Sequence, residues 1–81
     1  MENIKPDSTL DCVGLYCPVP IIKTTQKLKE LKAGEILEIN ADDEGILKDM
    51  PAWCKTTGNE YLGEEKSSDG IIKVFVRKSK Q

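Results

Sequence analysis

Hydrophobic and polar positions repeat with two different periods along this chain, and the period-two stretches predict strands. Alternation over residues 9–13, with Leu10 and Cys12 on one side, predicts a short first strand that Gly14 ends. Residues 35–41 alternate more regularly and predict a second strand with one apolar side. That side consists of Leu37, Ile39 and Ala41.

A helical period follows the first strand, over residues 18–33. Its apolar positions recur every three or four residues, which is typical of a helix that packs one face on a core. We predict that Gly34 caps this helix in a left-handed conformation. The predicted core face consists of Ile21, Thr24, Leu28 and Leu31.

A second helix is predicted after the acidic cluster formed by residues 42–44, because carboxylates favour the start of a helix. We prefer this capping role for the cluster to a metal site. Pro51 lies inside the helical pattern and predicts a kinked or split helix, which Gly58 and Asn59 would end. The apolar stripe consists of Ile46, Met50, Trp53 and Cys54.

Two more alternating stretches, residues 60–66 and 71–77, enclose the turn-forming sequence S-S-D-G and predict a hairpin. The order of elements is therefore βαβαββ. Helices between strands favour parallel neighbours, and the hairpin adds an antiparallel pair. We predict an α+β fold, a two-layer sandwich in which a four-stranded mixed sheet carries both helices on one face. The other face would be open to solvent or to a partner.

Length and charge limit the possibilities further. With 81 residues the chain forms one domain, which we place at residues 9–78, with a flexible lead-in over 1–8 and a tail over 79–81. The net charge is −2, with no basic excess, so direct binding of nucleic acid is not favoured. No apolar run is long enough for a membrane span or a signal peptide, and we expect a cytoplasmic protein.

The three cysteines carry the chemical interest. They form no CxxC pair and the chain has no histidine, so we expect no metal and no cofactor, and a Cys-His hydrolase is excluded. Cys12 and Cys54 fall on apolar faces and are predicted to pack in the core. Stable disulfides are not expected in a reducing compartment.

Cys17 differs because it stands in the sequence G-L-Y-C-P-V-P, residues 14–20. Pro18 and Pro20 fit the first turn of a helix, where backbone N–H groups have no intrahelical partner. Cys17 would then be the N-cap residue, where the helix dipole lowers the pKa of a thiol and favours the nucleophilic thiolate. From the residues alone, a reactive Cys17 and an inert, buried one are about equally supported. A reactive thiol without a partner base fits sulfur transfer, thiol-disulfide exchange or redox sensing.

Other polar residues near this segment have simpler explanations. Asp11 and Gly14 are predicted to shape the turn that presents Cys17, with a positive φ at Gly14. Lys23 and Lys27 line the predicted first helix, and we interpret them as a solvated face.

The segment L-D-C-V-G-L-Y-C-P-V-P, residues 10–20, resembles the L-D-x-x-G-x-x-C-P-x-P signature of the TusA/SirA-like sulfur-carrier family. The resemblance continues through G-E-I-L-E-I (34–39) and D-M-P-A-W-C (49–54), and covers residues 9–77. It implies a βαβαββ sandwich with strand order 1-2-4-3. It also implies that Cys17 accepts sulfane sulfur as a persulfide, from a cysteine desulfurase or another donor protein, and passes it to an acceptor protein. Asp11, Gly14, Pro18 and Pro20 are the motif residues expected to support it.

Two positions depart from the members of this family that thiolate tRNA. Those members usually have Arg where this chain has Tyr16, and an acidic residue where it has Val19. The pathway therefore stays open between tRNA thiolation, cofactor sulfuration and sulfur metabolism. Two alternatives to a persulfide-forming sulfurtransferase or carrier remain. One is a redox sensor that pairs Cys12 with Cys17, and the other is a non-catalytic regulatory or RNA-binding module.

Overall fold

Six elements follow one another in the predicted βαβαββ order in the computed structural model, which describes residues 5–16 and 19–79. Each strand and helix lies within about five residues of its predicted bounds. The observed elements are β1 (Ser8–Asp11), α1 (Val19–Leu28), β2 (Ile36–Ala41), α2 (Ile46–Thr57), β3 (Glu60–Lys66) and β4 (Ile72–Arg77).

The four strands form one mixed sheet in the order β1-β2-β4-β3. β1 runs parallel to β2, while β4 is antiparallel to both β2 and β3. This arrangement confirms the predicted mixed sheet and strand order. It also makes β2 a central strand that is hydrogen-bonded on both sides, so that the residues directly after it start from a fixed backbone position.

The core lies between one face of this sheet and the two helices. In the register of β2 and β4, Leu37 pairs with Val76 and Ile39 with Val74, and all four side chains are fully buried. Both helices contribute to the same buried cluster, which confirms that they cover one face of the sheet. The helix residues in this cluster are Leu28, Ile46, Met50 and Cys54.

The opposite face of the sheet is more polar but not uniformly exposed. Phe75 lies there, between Glu38 on β2 and Gly63 on β3, and is only 4% exposed. A shift of register between Tyr61 and Gly63 marks a bulge in β3. At Phe75 this face is therefore not open to solvent, contrary to the expectation.

Helix α1 ends at Leu28, five residues before the predicted end, so that part of the prediction is wrong. The N–H groups of Glu30 and Leu31 donate to carbonyls three residues earlier, which tightens the chain into turns. Gly34 has the predicted positive φ, but its N–H donates to the Lys78 carbonyl instead of capping the helix. Contacts with the chain beyond β4 therefore override the helical period of this segment.

Helix α2 is continuous from Ile46 to Thr57 with Pro51 inside it. Of the two outcomes predicted at Pro51, a kink or a split, the split therefore does not occur. Gly58 ends this helix as predicted, with a φ of 82° and its N–H donated to the Cys54 carbonyl. The N-cap residue is Gly45, outside the acidic cluster at residues 42–44, so that part of the predicted capping is wrong. The Asp43 carboxylate accepts the Gly45 N–H at 3.2 Å, in the turn directly before the helix.

Candidate functional site at the end of the first strand

The candidate site lies where the two parallel strands end side by side. Asp11, the last residue of β1, is paired in register with Asn40 near the end of β2. We call residues 12–18 the first junction, which leads into α1, and residues 42–45 the second junction, which leads into α2. Because β1 and β2 are parallel neighbours, the two junctions leave the sheet side by side, at the C-terminal ends of these strands.

The first junction begins with two backbone hydrogen bonds. The Cys12 N–H donates to the Asn40 carbonyl at 2.6 Å, which extends the pairing of β1 with β2 by one residue. The Leu15 N–H donates to the Cys12 carbonyl at 3.1 Å and closes a tight turn. The start of the junction is therefore held against the sheet.

Two carboxylates accept the remaining N–H groups of that turn. Asp11 Oδ1 accepts the Val13 N–H at 3.0 Å, an Asx-type contact within the motif. Asp42 Oδ1, from the second junction, accepts the Gly14 N–H at 3.0 Å. Gly14 has a φ of 86°, a conformation that glycine adopts without strain. The structure thus confirms the positive φ at Gly14 and the part of Asp11 in the turn.

Cys17 and Pro18 lie outside the described residues, so the N-cap position of Cys17 and the supporting role of Pro18 stay predictions. Their neighbours are described. Tyr16 is 74% exposed and Val19 is 39% exposed. The Val19 N–H donates to the Tyr16 carbonyl at 2.9 Å, and α1 begins at Val19. Pro20 is buried within the first helical turn, and its carbonyl accepts the Thr24 hydroxyl.

Exposed apolar side chains gather around the cysteine-containing segment. Within residues 5–16 and 19–79, the exposed large hydrophobic side chains are all found between positions 13 and 22. We call this set the apolar rim. Its members are Val13, Tyr16, Val19 and Ile22. Four exposed apolar side chains within ten positions of sequence make this segment a candidate contact site for another molecule.

The other two cysteines are core residues, as predicted. Cys12 is fully buried and Cys54 is 1% exposed. Burial raises the pKa of the Cys12 thiol, and the negative charge of Asp11 adds to this while Lys23 partly offsets it. Burial also raises the pKa of the Cys54 thiol from 9.0 to about 11. Both thiols are therefore protonated and inaccessible near neutral pH, and neither is suited to act as a nucleophile.

Asp42 is the residue of this site that the sequence analysis missed, because we assigned it to a helix cap. Its partner, Gly14, is 28 positions away in the sequence, and the local pattern carries no signal for that contact. A groove of about 330 Å³ has Asp42 and Glu44 in its wall and so borders this site. Another groove, of about 260 Å³, does not include it. That groove lies between the C-terminal ends of the helices, with Trp53 and Lys78 in its wall.

Metal-binding clusters and membrane-spanning helices are both absent from the part of the chain that the structure describes. No cluster of three or more metal-ligating side chains occurs there. None of its helices has the length and apolar character required to cross a bilayer.

The fold and the junction define a class: small α+β proteins in which a cysteine–proline segment joins the first strand to the first helix. Within that class, the family model of sulfurtransferase TusA matches residues 8–78, which is nearly the whole chain. The chain belongs to this TusA/SirA-like family.

Individual relatives agree with this assignment. The chain is 36% identical over 78 residues to the sulfur carrier protein TusA of Pseudomonas syringae, covering 96% of this chain and 92% of that protein. It is 38% identical over 73 residues to the sulfur carrier protein TusA of Allochromatium vinosum, covering 90% and 95%. A crystal structure of a SirA-like protein from Desulfitobacterium hafniense matches with a TM-score of 0.78 and 23% identity, over 89% of this chain and 97% of that one, and supports the fold.

Some relatives are much longer. The chain is 51% identical over 75 residues to YrkF of Bacillus subtilis, covering 93% of this chain but 40% of YrkF. A protein of Aquifex aeolicus is 36% identical over 81 residues, which is 41% of its length. The chain thus spans about two fifths of the length of these curated relatives.

Proposed function

We propose that this chain is a sulfur carrier that accepts sulfane sulfur as a persulfide on Cys17 and passes it to an acceptor protein. The observation that carries the proposal is the family motif around Cys17, set in a junction whose described neighbours, Tyr16 and Val19, are exposed. Relatives named sulfur carrier protein TusA support the role as a carrier.

The proposed reaction is a pair of sulfur transfers without net oxidation. The Cys17 thiolate attacks the terminal sulfur of a donor persulfide, forming one S–S bond as the donor's S–S bond breaks. The donor cysteine leaves as a thiolate, and Cys17 now carries the persulfide. In the second step an acceptor nucleophile attacks the terminal sulfur, and the Cys17 thiolate leaves. Each step needs a good thiolate at Cys17 both as nucleophile and as leaving group.

The buried thiols support the choice of Cys17. A protein donor must bring its own sulfur to the nucleophile, and Cys12 and Cys54 are enclosed in the core with raised pKa values. The burial of Cys12 also speaks against its use as a resolving thiol for Cys17, because a redox pair requires access to both sulfur atoms.

The apolar rim supports a protein partner. A donor and an acceptor protein must each reach the same sulfur, and the exposed side chains on both sides of Cys17 are available to contact them. Tyr16 provides a large aromatic surface of the kind enriched in protein interfaces. We propose a cysteine desulfurase as donor, and an acceptor in tRNA thiolation, cofactor sulfuration or sulfur metabolism.

Intact-mass measurement tests the proposal. The protein is incubated with a cysteine desulfurase and cysteine, and we expect a product that carries one added sulfur atom and loses it when a thiol reductant is added. Cys17→Ala should abolish this product. Cys54→Ala, which removes a buried thiol, is the matched control and should keep it. Absence of the adduct from the wild-type protein, or its persistence in Cys17→Ala, would contradict the proposal.

A further inference from the structure

We propose that Asp42 is a positioning residue, which holds the turn that leads to Cys17 through its hydrogen bond to Gly14. This inference rests on the proposed function, since it concerns the segment that presents the sulfur-carrying cysteine. The bond joins the first junction to the second across 28 positions of sequence.

The hydrogen bonds of the turn show why Asp42 matters. Consecutive N–H groups from Cys12 to Leu15 each have an acceptor, and the backbone or the adjacent Asp11 supplies three of the four. The Gly14 N–H is the one satisfied by a side chain from another element. Without Asp42 the Gly14 N–H would have to donate to water, and the turn would lose this hydrogen bond to the second junction.

The sheet explains how Asp42 comes to lie there. β2 is held between β1 and β4, and Ala41, the last residue of β2, is fully buried. Asp42 follows directly and so starts from a fixed point beside the end of β1. A carboxylate at this position meets the Gly14 N–H because the two strands are parallel and in register up to Asp11 and Asn40.

The function of the bond is to restrict Gly14. Glycine at positive φ has more conformational freedom than any other residue, so a turn built on it needs an external restraint to hold one geometry. Cys17 follows Gly14 by three residues in the sequence, so a turn held in one geometry fixes where the chain that leads to Cys17 begins. The requirement is for a hydrogen-bond acceptor at position 42, and the negative charge itself is dispensable.

Three variants separate these requirements. Asp42→Ala removes both the acceptor and the charge, while Asp42→Asn keeps an acceptor oxygen and removes the charge. Glu44→Ala removes a neighbouring exposed carboxylate. It keeps the backbone carbonyl of residue 44, which accepts the Leu47 N–H. For each, we would measure amide exchange at Gly14 by NMR, the rate of Cys17 alkylation at fixed pH, the rate of persulfide loading and the urea midpoint.

Asp42→Ala should accelerate Gly14 amide exchange by about three- to tenfold, the range expected for loss of one hydrogen bond. It should slow persulfide loading by a similar factor, with the urea midpoint little changed. Asp42→Asn should restore both properties to within about twofold of wild type, and Glu44→Ala should match wild type.

Equal behaviour of Asp42→Ala and Asp42→Asn would overturn the inference, since the acceptor would then be irrelevant. An equal effect of Glu44→Ala would also overturn it, because net charge would explain the result. Should the wild-type protein take up no sulfur, the proposed function fails. Gly14 exchange and Cys17 alkylation in the Asp42 variants would still decide whether Asp42 positions the turn.

Discussion

The two strand–helix units of this protein are built alike and used differently. In the first unit, β1 leads through the first junction into α1, whose exposed residues Val19 and Ile22 belong to the apolar rim. In the second unit, β2 leads through the second junction into α2, whose apolar residues Ile46, Met50 and Cys54 are buried. The first unit therefore has exposed apolar side chains close in sequence to Cys17, whereas the apolar side chains named in the second unit are buried.

This difference separates stability from function. Apolar side chains in the second unit are removed from water and stabilise the fold, at roughly 25 cal/mol per Å² of buried apolar surface. The exposed side chains of the first unit contribute little of this kind. We interpret their occurrence within one segment as a contact surface for the partner that the proposed transfer of sulfur requires.

The largest difference in stability should appear when one isoleucine in each unit is replaced by alanine. Ile46→Ala should lower the free energy of unfolding by about 2–5 kcal/mol, because the side chain is fully buried and leaves a cavity. Ile22→Ala should change it by no more than about 0.5 kcal/mol, because Ile22 is 52% exposed. Urea unfolding followed by circular dichroism measures both.

In sulfur transfer, the isoleucine that matters should be Ile22, the one with little effect on stability. Ile22→Ala should slow loading from a protein donor while the protein remains as stable as wild type. A similar loss of stability in the two variants would break the comparison between the units. So would a loading rate that Ile22→Ala leaves unchanged.

The buried thiol of the second unit predicts a dependence of stability on pH. The Cys54 pKa is raised from 9.0 to about 11 in the folded protein, so above pH 9 the unfolded chain loses this proton while the folded one keeps it. Ionisation therefore favours the unfolded state, and stability should fall between about pH 9 and pH 11. Two pKa units correspond to a loss of about 2–3 kcal/mol.

Comparison of the wild-type protein with Cys54→Ala isolates this contribution. Urea midpoints would be measured from pH 8 to pH 11, and the variant should show a flatter decline although it is less stable at pH 8. Cys12, whose pKa is also raised by burial, is present in both proteins and largely cancels in the difference. Parallel curves for the two proteins would show that Cys54 is not protected by burial.

The smallest predicted difference in stability is between alanine variants of two glycines, Gly14 in the first junction and Gly45 in the second. Gly14→Ala should destabilise the protein by about 1–2 kcal/mol, because Gly14 has a φ of 86° and a side chain is strained there even with open space around it. Gly45 has a φ of −56°, which any residue adopts, although a Cβ atom would lie 3.3 Å from the Asp43 carboxylate. Gly45→Ala should therefore change stability by less than about 0.5 kcal/mol.

Thermal unfolding of both glycine variants provides the measurement, and Cys17 alkylation adds a second readout. Only Gly14→Ala should alter alkylation, since only the first junction carries that cysteine. An equal loss of stability in both variants would mean that the conformation of the Gly14 turn is not the cause.

Local patterns in the sequence were sufficient for most of the fold. Alternation placed Leu37 and Ile39 on the buried face of β2, and the helical stripe placed Met50 and Cys54 in the core. Such patterns work because burial repeats with the geometry of the element itself. Gly58 was predictable as a helix end for the same reason, since a left-handed residue is a local property of the chain.

The sequence by itself determined the order of elements, the core faces, the positive φ at Gly14 and the motif around Cys17. Only the tertiary structure decided where α1 ends, because the turn after Leu28 is held by Lys78, almost 50 positions later. The same is true of the bond from Asp42 to Gly14, which exists because two parallel strands end side by side. Contacts between residues that are distant in sequence produce no periodic pattern in the sequence. They form because strand pairing in the folded sheet brings those residues together.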